Sequence, residues 1–590
     1  MTLNTSSAER RAFLSRLRID FRFLLRHLPG LTFAVYRKIR NRAIMSLASP
    51  HRGRKSWPAW VGDRGTLGVP ERLRTVSAMR LPAYPRSVTA AGFSSDATPR
   101  ADREMPTDPE DLFSSHRWNF LQEALFAGAV DWDAGVARCL LWIEANSGKN
   151  LRCWEPYSAC ERIGNLLVFL AMMPPELRER EIGPQLPRFL FDSINWIYGH
   201  LEYYGPSETN NHIIANARAL VVAGAATGNQ AAVTAGMKIF REWLPRLIMG
   251  GGFLRERSSH YQLVVLNWLM DAWHFLGAYA GQQSADTQFM AGYTSSMLRA
   301  AGMVCGSQGQ LLALIGDVSP DATPAQSAAR LALLYPGYWP PPAQSPPAVE
   351  LRDGWFRLSA GRDTVLGNFP ADGFPPRFPT HGHCDLSSFV WIQDDTEIVA
   401  DPGRYRYTRD AVSLFQISGS GHNVPIVNGL APVCETLVVN GQWWPRPYSE
   451  ATLEVFERDG GVVLTHTGFA RATNVTRHCR QIRAGHGELE VVDSLDGEGT
   501  AQVAWCWHFG RSFAAFDPDE LVAVGPGGRV KMSVEGVAGA PRAAPIFSDA
   551  PGGWISHKYG EKHPALGISL QWNIELPAIV STRFEPQLCA

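Results

Sequence analysis

The strongest chemical signal in this chain is a short stretch rich in histidine and aspartate. Residues 381–385 read His-Gly-His-Cys-Asp. If this segment is extended, side chains alternate, so His381, His383 and Asp385 share one face and Cys384 takes the other. SSFVWIQ and TEIVAD follow as two expected strands around the turn residues Asp394 and Asp395. The second strand ends at Asp401, before Pro402 and Gly403, and His422 lies a loop further on in SGSGHN. His383, Asp401 and His422, drawn from three neighbouring segments, suit a three-ligand metal site, and imidazole with carboxylate suits zinc. His381 is then left beside the metal. The competing reading is a polar strand end whose histidines are hydrogen-bonded within the protein.

Three further stretches carry reactive side chains. SETNNHIIANARAL places Asn210, Asn211 and His212 at an expected helix start, where exposed N–H groups favour anions. Ser207 or Thr209 suffices as a cap, so Asn211 and His212 exceed what capping needs. GGGFLRERSSHYQ sets three glycines before Glu256, Arg257, Ser258, Ser259, His260 and Tyr261, at the start of another apolar helix. A lone tyrosine at such a position is ordinarily half-buried packing. LRCWEPYSACERIGN holds Trp154, Glu155, Tyr157, Arg162 and Asn165, a set that suits either a sugar or an interhelical hydrogen-bond cluster.

The elements that must position these groups fall into two textures. From about residue 105, segments such as WDAGVARCLLWIEAN, NNHIIANARALVVAGAATG and SHYQLVVLNWLMDAWHFLGAYAG show apolar residues every three to four positions. Successive helices over this length predict a bundle or an α/α toroid. A Pro-rich linker at 336–350 ends that part. Beyond Trp355 the runs are short and β-rich, with Gly and Asp turns: FRLSAGRDTVLGNF, ATLEVFERDGGVVLTHTGF, ELEVVDSL and QVAWCWHFG. These predict an antiparallel β-sandwich to the C-terminus. The expected division is thus a basic extension and linker over 1–104, helices over 105–335, the linker, and the sheet domain over 351–590.

Composition narrows the functional classes. The 590 residues exceed one ordinary domain, and 45% hydrophobic with 19% charged residues is a globular balance. Fifty-six basic and 56 acidic residues cancel, so nothing global points to nucleic acid. Nineteen Trp fit a carbohydrate cleft or a large core. Nine scattered Cys without CxxC pairs argue against a disulfide framework and suit a reducing compartment. Within the first 55 residues only Glu9 and Asp20 are acidic, and this basic segment suits an anionic membrane surface or packing on its own domain. Arg10-Arg11 resembles an export signal, but Arg16, Arg18, Arg22 and Arg26 break the apolar run that should follow.

Taken together and in order, WEPYSACERIGN, NNHIIANARALVVAG, the glycine-led ERSSHYQ, HGHCDLSSF, VADPGRYRY and SGSGHN resemble the heparinase II/III family of polysaccharide lyases. The resemblance covers about 105–590. It implies an (α/α) toroid joined to an antiparallel β-sandwich with the cleft between them, and β-elimination on a uronate-containing polysaccharide. In such chemistry the proton α to a carboxylate is removed, so the carboxylate must be neutralised, a base must take the proton and an acid must protonate the leaving oxygen. By resemblance Asn211, with His212, neutralises; Tyr261 is the acid, and a base on some substrates; His381 is the partner base or stabiliser. His383, Asp401 and His422 match ligands of a divalent metal, zinc, in a structural role. Trp154, Glu155, Tyr157, Arg162, Glu256 and Arg257 are the expected substrate-binding set. Asn216 stands where some members have Glu, and Cys384 where Ala is common.

Two other functions compete: a non-lytic glycan-binding or assembly factor of exopolysaccharide or capsule synthesis, and a metal-dependent glycoside hydrolase. Hydrolysis calls for two facing carboxylates, and among Glu155, Glu208, Glu256 and Asp317 no pair is singled out. The resemblance implies the cell envelope, whereas the N-terminus and the cysteines imply cytoplasm or inner-membrane association.

Overall fold

The computed structural model describes residues 78–84 and 108–589, apart from 129, 147–151, 181–182, 204–208, 341–346, 370–380, 409, 433–436, 440–441, 445–452, 472 and 548–551. Most of the basic extension and the middle of the Pro-rich linker therefore lie outside the described residues.

The helices follow the apolar periodicity. They are α1 (Pro109–Ser114), α2 (Asn119–Ala127), α3 (Trp132–Asn146), α4 (Pro156–Met172), α5 (Gln185–Gly199), α6 (His212–Thr227), α7 (Gln230–Leu247), α8 (Ser259–Ala280), α9 (Ala285–Val304) and α10 (Pro324–Leu334). Sequence neighbours pack side by side, as in an α/α toroid. Helix α6 is the hub: it touches α4, α5, α7 and α8, and every residue from Ile213 to Thr227 is buried. Its sequence is apolar and small on all sides, as a helix surrounded by others requires. The exceptions are paired. Arg218 meets Asp271 at 2.6 Å and Glu161 at 3.0 Å, and Asn216 hydrogen-bonds Glu202. Among the described residues no helix is long and apolar enough to cross a membrane, and no disulfide forms.

The β region has two main sheets. The smaller runs in order β1 (Val349–Arg352), β2 (Trp355–Ala360), β3 (Asp363–Asn368), β4 (Val390–Gln393) and β5 (Thr396–Val399). Its faces alternate between two cores: Trp355, Leu366, Val390 and Ile392 join the helical core, while Phe356, Val365 and Trp391 join the core under the larger sheet. This sheet is therefore a middle layer, which explains why VWI is apolar at consecutive positions rather than alternating. The expected hairpin pairs Gln393 with Thr396, and Asp394 takes φ 53° in the turn.

The larger antiparallel sheet centres on β6 (Val475–Gly485), β7 (Glu488–His508) and β8 (His563–Leu588). ELEVVDSL and QVAWCWHFG read as separate strands, but both belong to β7. Gly497 and Gly499 form an irregularity in the β7–β8 ladder instead of ending the strand. At Gly497, φ is 157° and a Cβ would lie 2.3 Å from the Asn474 carbonyl oxygen, so glycine is needed there.

Candidate active site

Helix starts bring two of the groups together. Ser258 caps α8 by accepting the Tyr261 N–H at 3.1 Å, which fixes the first turn that carries Tyr261. Asn211 sits at the N-terminal boundary of α6, but its side chain makes no cap bond. Instead its backbone N–H donates to Glu256 Oε1 at 2.5 Å and its Nδ2 lies 3.4 Å from His381 Nε2. Asn211 Oδ1 is buried without a partner.

His381 arrives from the β region and stacks on Tyr261, with ring centroids 3.6 Å apart and planes at 9°. On one side His381 Nδ1 is 3.0 Å from Asp317 Oδ2. On the other, Nε2 is 3.3 Å from Glu256 Oε2, which makes no well-directed hydrogen bond. The Tyr261 hydroxyl meets the Tyr407 hydroxyl at 2.8 Å, and Tyr407 donates to the Val318 carbonyl at 3.2 Å. Asn211, Glu256, Tyr261, His381 and Tyr407 thus form one contiguous polar cluster between the two halves.

Electrostatics give these groups distinct characters. Burial pushes the Tyr261 phenol well above its usual pKa against the opposing hydrogen bond from Tyr407, so it is held as a neutral proton donor. Tyr261 pairs with Tyr407, and the Arg257 guanidinium hydrogen-bonds Asn368. Burial also raises Glu256, with His381 opposing. Burial disfavours charge on His212, yet the Glu202 carboxylate at 2.8 Å outweighs it and raises His212 to about 9. Asp317 is held well below the carboxylate range: burial opposes this, but Arg404 and the two donors His381 and His383 prevail.

Behind His381, the side chains of His383, Asp401 and His422 each offer a ligand atom within 4.8 Å of the others. His422 Nδ1 is 3.1 Å from Asp401 Oδ2, a spacing also open to two ligands about 2 Å from a shared ion. His383 Nδ1 and His422 Nε2 are buried without partners. His383 Nε2 meets Asp317 Oδ1 at 2.9 Å, the carboxylate backing that orients a ligating imidazole. An ion would satisfy a buried, otherwise orphaned nitrogen, so the residues fit a metal. Cys384, as alternation requires, turns instead into the core of the sheet region.

Comparison with known proteins agrees with this architecture. The family model described as Heparinase II/III-like, C-terminal matches residues 344–578. Across the larger chain, the solved structure of heparinase III aligns at TM-score 0.60 and 15% identity, covering 84% of this chain and 80% of that one. A second heparinase III aligns at 0.56 and 15% identity, over 82% and 80%. Heparan sulfate lyase HepC from Pedobacter heparinus aligns at 0.52 and 14%, over 94% and 83%. The chain therefore has the heparinase III fold, an α/α toroid with an antiparallel sheet domain. No curated protein matches the sequence significantly.

The site between the two halves gathers some of the expected residues and not others. Asn211, His212, Glu256, Tyr261 and His381 lie in or beside the cluster. Glu155 and Tyr157 adjoin it through His212: Glu155 groups with Glu202 and His212, and the Tyr157 ring stacks on His212 at 4.6 Å. Arg162 departs from its expected substrate-binding role. It is fully buried, donates to the His116 and Cys153 carbonyls, and lies under the rings of Trp118, Trp142, Trp154 and Phe189. Burial lowers it to about 9. Trp154 belongs to that cage and donates Nε1–H to the Asn146 carbonyl. Arg257, at φ 61°, is likewise buried and turned to Asn368, so it braces the boundary between the halves.

Sequence reasoning missed Tyr407 and Arg404, and weighed Asp317 only as a carboxylate for hydrolysis. VADPGRYRY contained the first two, but only alternation along that run hinted that Tyr407 and Tyr405 share a face. Asp317 gave no local signal, since its partners lie 64 and 66 positions away.

Proposed function

We propose that this protein is a polysaccharide lyase that cleaves a uronate-containing polysaccharide by β-elimination. The observation that carries the reading is the meeting of Tyr261 and Asn211 from the helices with His381 from the sheet region. Elimination needs a neutralised carboxylate, a base and an acid within reach of one sugar.

Each need has a candidate. The Asn211 Nδ2–H group and the O–H of protonated Glu256, which burial makes harder to ionise, are the donors offered to the sugar carboxylate. Charged His212 adds positive potential close by. The Asp317 carboxylate accepts a hydrogen bond from His381 Nδ1–H, so in the neutral ring Nε2 keeps its lone pair and faces the carboxylate-holding groups. Nε2 is thus placed to accept the proton α to the carboxylate. The Tyr261 phenol donates its proton to the departing glycosidic oxygen, and the Tyr407 hydroxyl, turning its proton from the Val318 carbonyl, donates to the phenolate that remains. Proton return from His381 through solvent to Tyr261 resets the site. The product is a chain end bearing a C=C bond conjugated with the carboxylate.

His383, Asp401 and His422 would hold a divalent ion, for which zinc fits the nitrogen and carboxylate donors. Its contribution when bound is structural, tying three loops behind His381. The acidic polymer is the expected partner, and residence in the cell envelope is part of this proposal, with cytoplasm or inner-membrane association as the alternative. Fractionation with protease protection tests that location: protection retained in intact spheroplasts would place the protein inside the cytoplasm. The reaction is tested by incubating the protein with alginate, heparan-type glycans and bacterial exopolysaccharides and following ultraviolet absorbance. New chain ends with the conjugated chromophore support elimination. Chain ends without it indicate hydrolysis, and tight binding without new ends indicates a non-lytic glycan-binding factor.

A further inference from the structure

The loop between α9 and α10 has no secondary structure around residue 317, yet it is among the most tightly fixed segments of the cleft. Ser259 N–H donates to the Ile315 carbonyl at 3.0 Å, and Ile315 N–H donates back to Ser259 Oγ at 2.9 Å. Ser258 Oγ donates to the Asp317 carbonyl at 2.8 Å, and Ser319 N–H donates to His260 Nδ1 at 3.1 Å. The loop is thereby sewn to the first turn of the helix that carries Tyr261. Gly316 has φ 81°, and a Cβ there would lie 2.6 Å from the His381 carbonyl oxygen and 2.8 Å from that of Arg257. Across this close approach Asp317 N–H donates to the His381 carbonyl at 2.9 Å.

The loop therefore delivers one buried carboxylate to a fixed place, where three side chains from the sheet region converge on it. Oδ2 accepts from His381 Nδ1 at 3.0 Å and Oδ1 accepts from His383 Nε2 at 2.9 Å. Arg404 NH1 donates to both oxygens, at 3.3 and 3.2 Å. An ionised carboxylate only accepts hydrogen bonds, so each ring nitrogen facing it must carry its proton. In the neutral form of each ring the opposite nitrogen is then unprotonated: Nε2 of His381, toward Asn211 and Glu256, and Nδ1 of His383, toward Asp401 and His422.

We propose that Asp317 is a positioning residue whose single carboxylate sets the tautomer of both His381 and His383, so that the cleft and the metal-ligand cluster share one anchor. The two histidines sit two residues apart and straddle that anchor, which is why their spacing matters. An amide at 317 cannot serve both rings, because it offers one acceptor and one donor. With Asp317→Asn, one ring must move its proton to the other nitrogen or lose its hydrogen bond. If His381 switches, Nε2 can no longer accept a proton; if His383 switches, Nδ1 can no longer ligate a metal.

The catalytic consequence rests on the lyase reading above, but the tautomers do not. The experiment is ¹⁵N NMR of the full chain labelled at histidine, with His381→Gln and His383→Gln used for assignment. Wild-type protein should show His381 protonated at Nδ1 and His383 at Nε2, with and without added zinc. The opposite assignment for either ring overturns the proposal whether or not Asp317→Asn folds. In Asp317→Asn at least one ring should change its protonated nitrogen, and zinc affinity by equilibrium dialysis should fall about 10–100-fold. On a cleaved substrate, kcat should fall roughly a hundredfold with KM little changed, as for a misplaced proton-transfer group. Unchanged tautomers and unchanged zinc affinity with only a lower melting temperature would reduce Asp317 to a structural tie. If no polymer is cleaved, the lyase reading fails while the NMR result stands by itself.

Discussion

The two walls of the cleft solve the same positioning problem differently. On the helical wall, Asn211 and Tyr261 stand at the first turns of α6 and α8, where hydrogen bonds to the backbone N–H groups of Asn211 and Tyr261 hold the chain. On the sheet wall, His381, Tyr407 and the metal-ligand cluster stand on loops outside the ladders. Those loops depend on buried charge. Arg480 donates to Asp493 at 2.7 and 2.9 Å and also to the carbonyls of Ser387 and Asn423, which flank β4 and His422. His478 and Trp505 complete the shell around Asp493. Regular structure positions a side chain through many weak, redundant backbone bonds. A loop has no such redundancy, so it needs a few strong polar links, and each link is a point of failure.

This contrast predicts a hierarchy of damage. The largest stability loss should come from Arg480→Met, which leaves the Asp493 charge buried without its main partner, at a cost of about 3–5 kcal/mol. The comparison variant is Arg330→Met in the helical core. There Asp271 keeps Arg218 at 2.6 Å and the Tyr335 hydroxyl at 2.5 Å, so the loss should be clearly smaller. Urea denaturation of both variants measures the difference, and equal losses would break the comparison.

His383→Ala should come next. It removes one of the three candidate ligands, so if the cluster holds a metal, its content measured by elemental analysis should fall, and a chelator should no longer lower the melting temperature. A variant that retains full metal content would place the ion elsewhere.

Glu256 sharpens the helical side. Gln at this position can still accept from the Asn211 N–H while its amide donates, as a protonated carboxyl would. Glu256→Gln should therefore keep most activity, whereas Glu256→Ala should lose about tenfold or more by freeing the Asn211 backbone. Equal loss in both would show that the ionised carboxylate is the working form.

The smallest effect concerns pH. His212 is raised in the fold, so the stability it contributes is complete below its ordinary value of 6.5 and is lost as pH rises through about 9. Glu202→Gln should flatten that part of the stability–pH curve, read from melting temperatures between pH 6 and about 10. A slope unchanged by the substitution would remove the pair as its source.

Much of this arrangement was legible in the sequence, for reasons that also explain what was not. WDAGVARCLLWIEAN is helical over the same residues, Trp132–Asn146, because amphipathic periodicity is a local property. The His383–Asp401–His422 grouping was legible because its members lie close along the chain. Asp317 was not, since its meaning arises only when a helical-domain loop meets a sheet-domain loop. Arg162 misled because aromatics around an arginine suit a sugar cleft and a buried cage equally, and only burial separates them. GEGT misled because glycines that mark a strand end also mark an irregularity within one strand.

The central claim is that the phenol of Tyr261 is the acid of an elimination completed by His381 across the domain boundary. The most direct measurement compares wild type with Tyr261→Phe on the polysaccharide that wild type cleaves, following formation of the unsaturated chain end at saturating substrate. The substitution removes one hydroxyl and its hydrogen bond to Tyr407 but keeps the stack on His381, so folding and binding should be retained. Turnover should fall by roughly two to four decades, as for loss of a proton-transfer group. A Tyr261→Phe protein that forms unsaturated product at the wild-type rate would contradict the account.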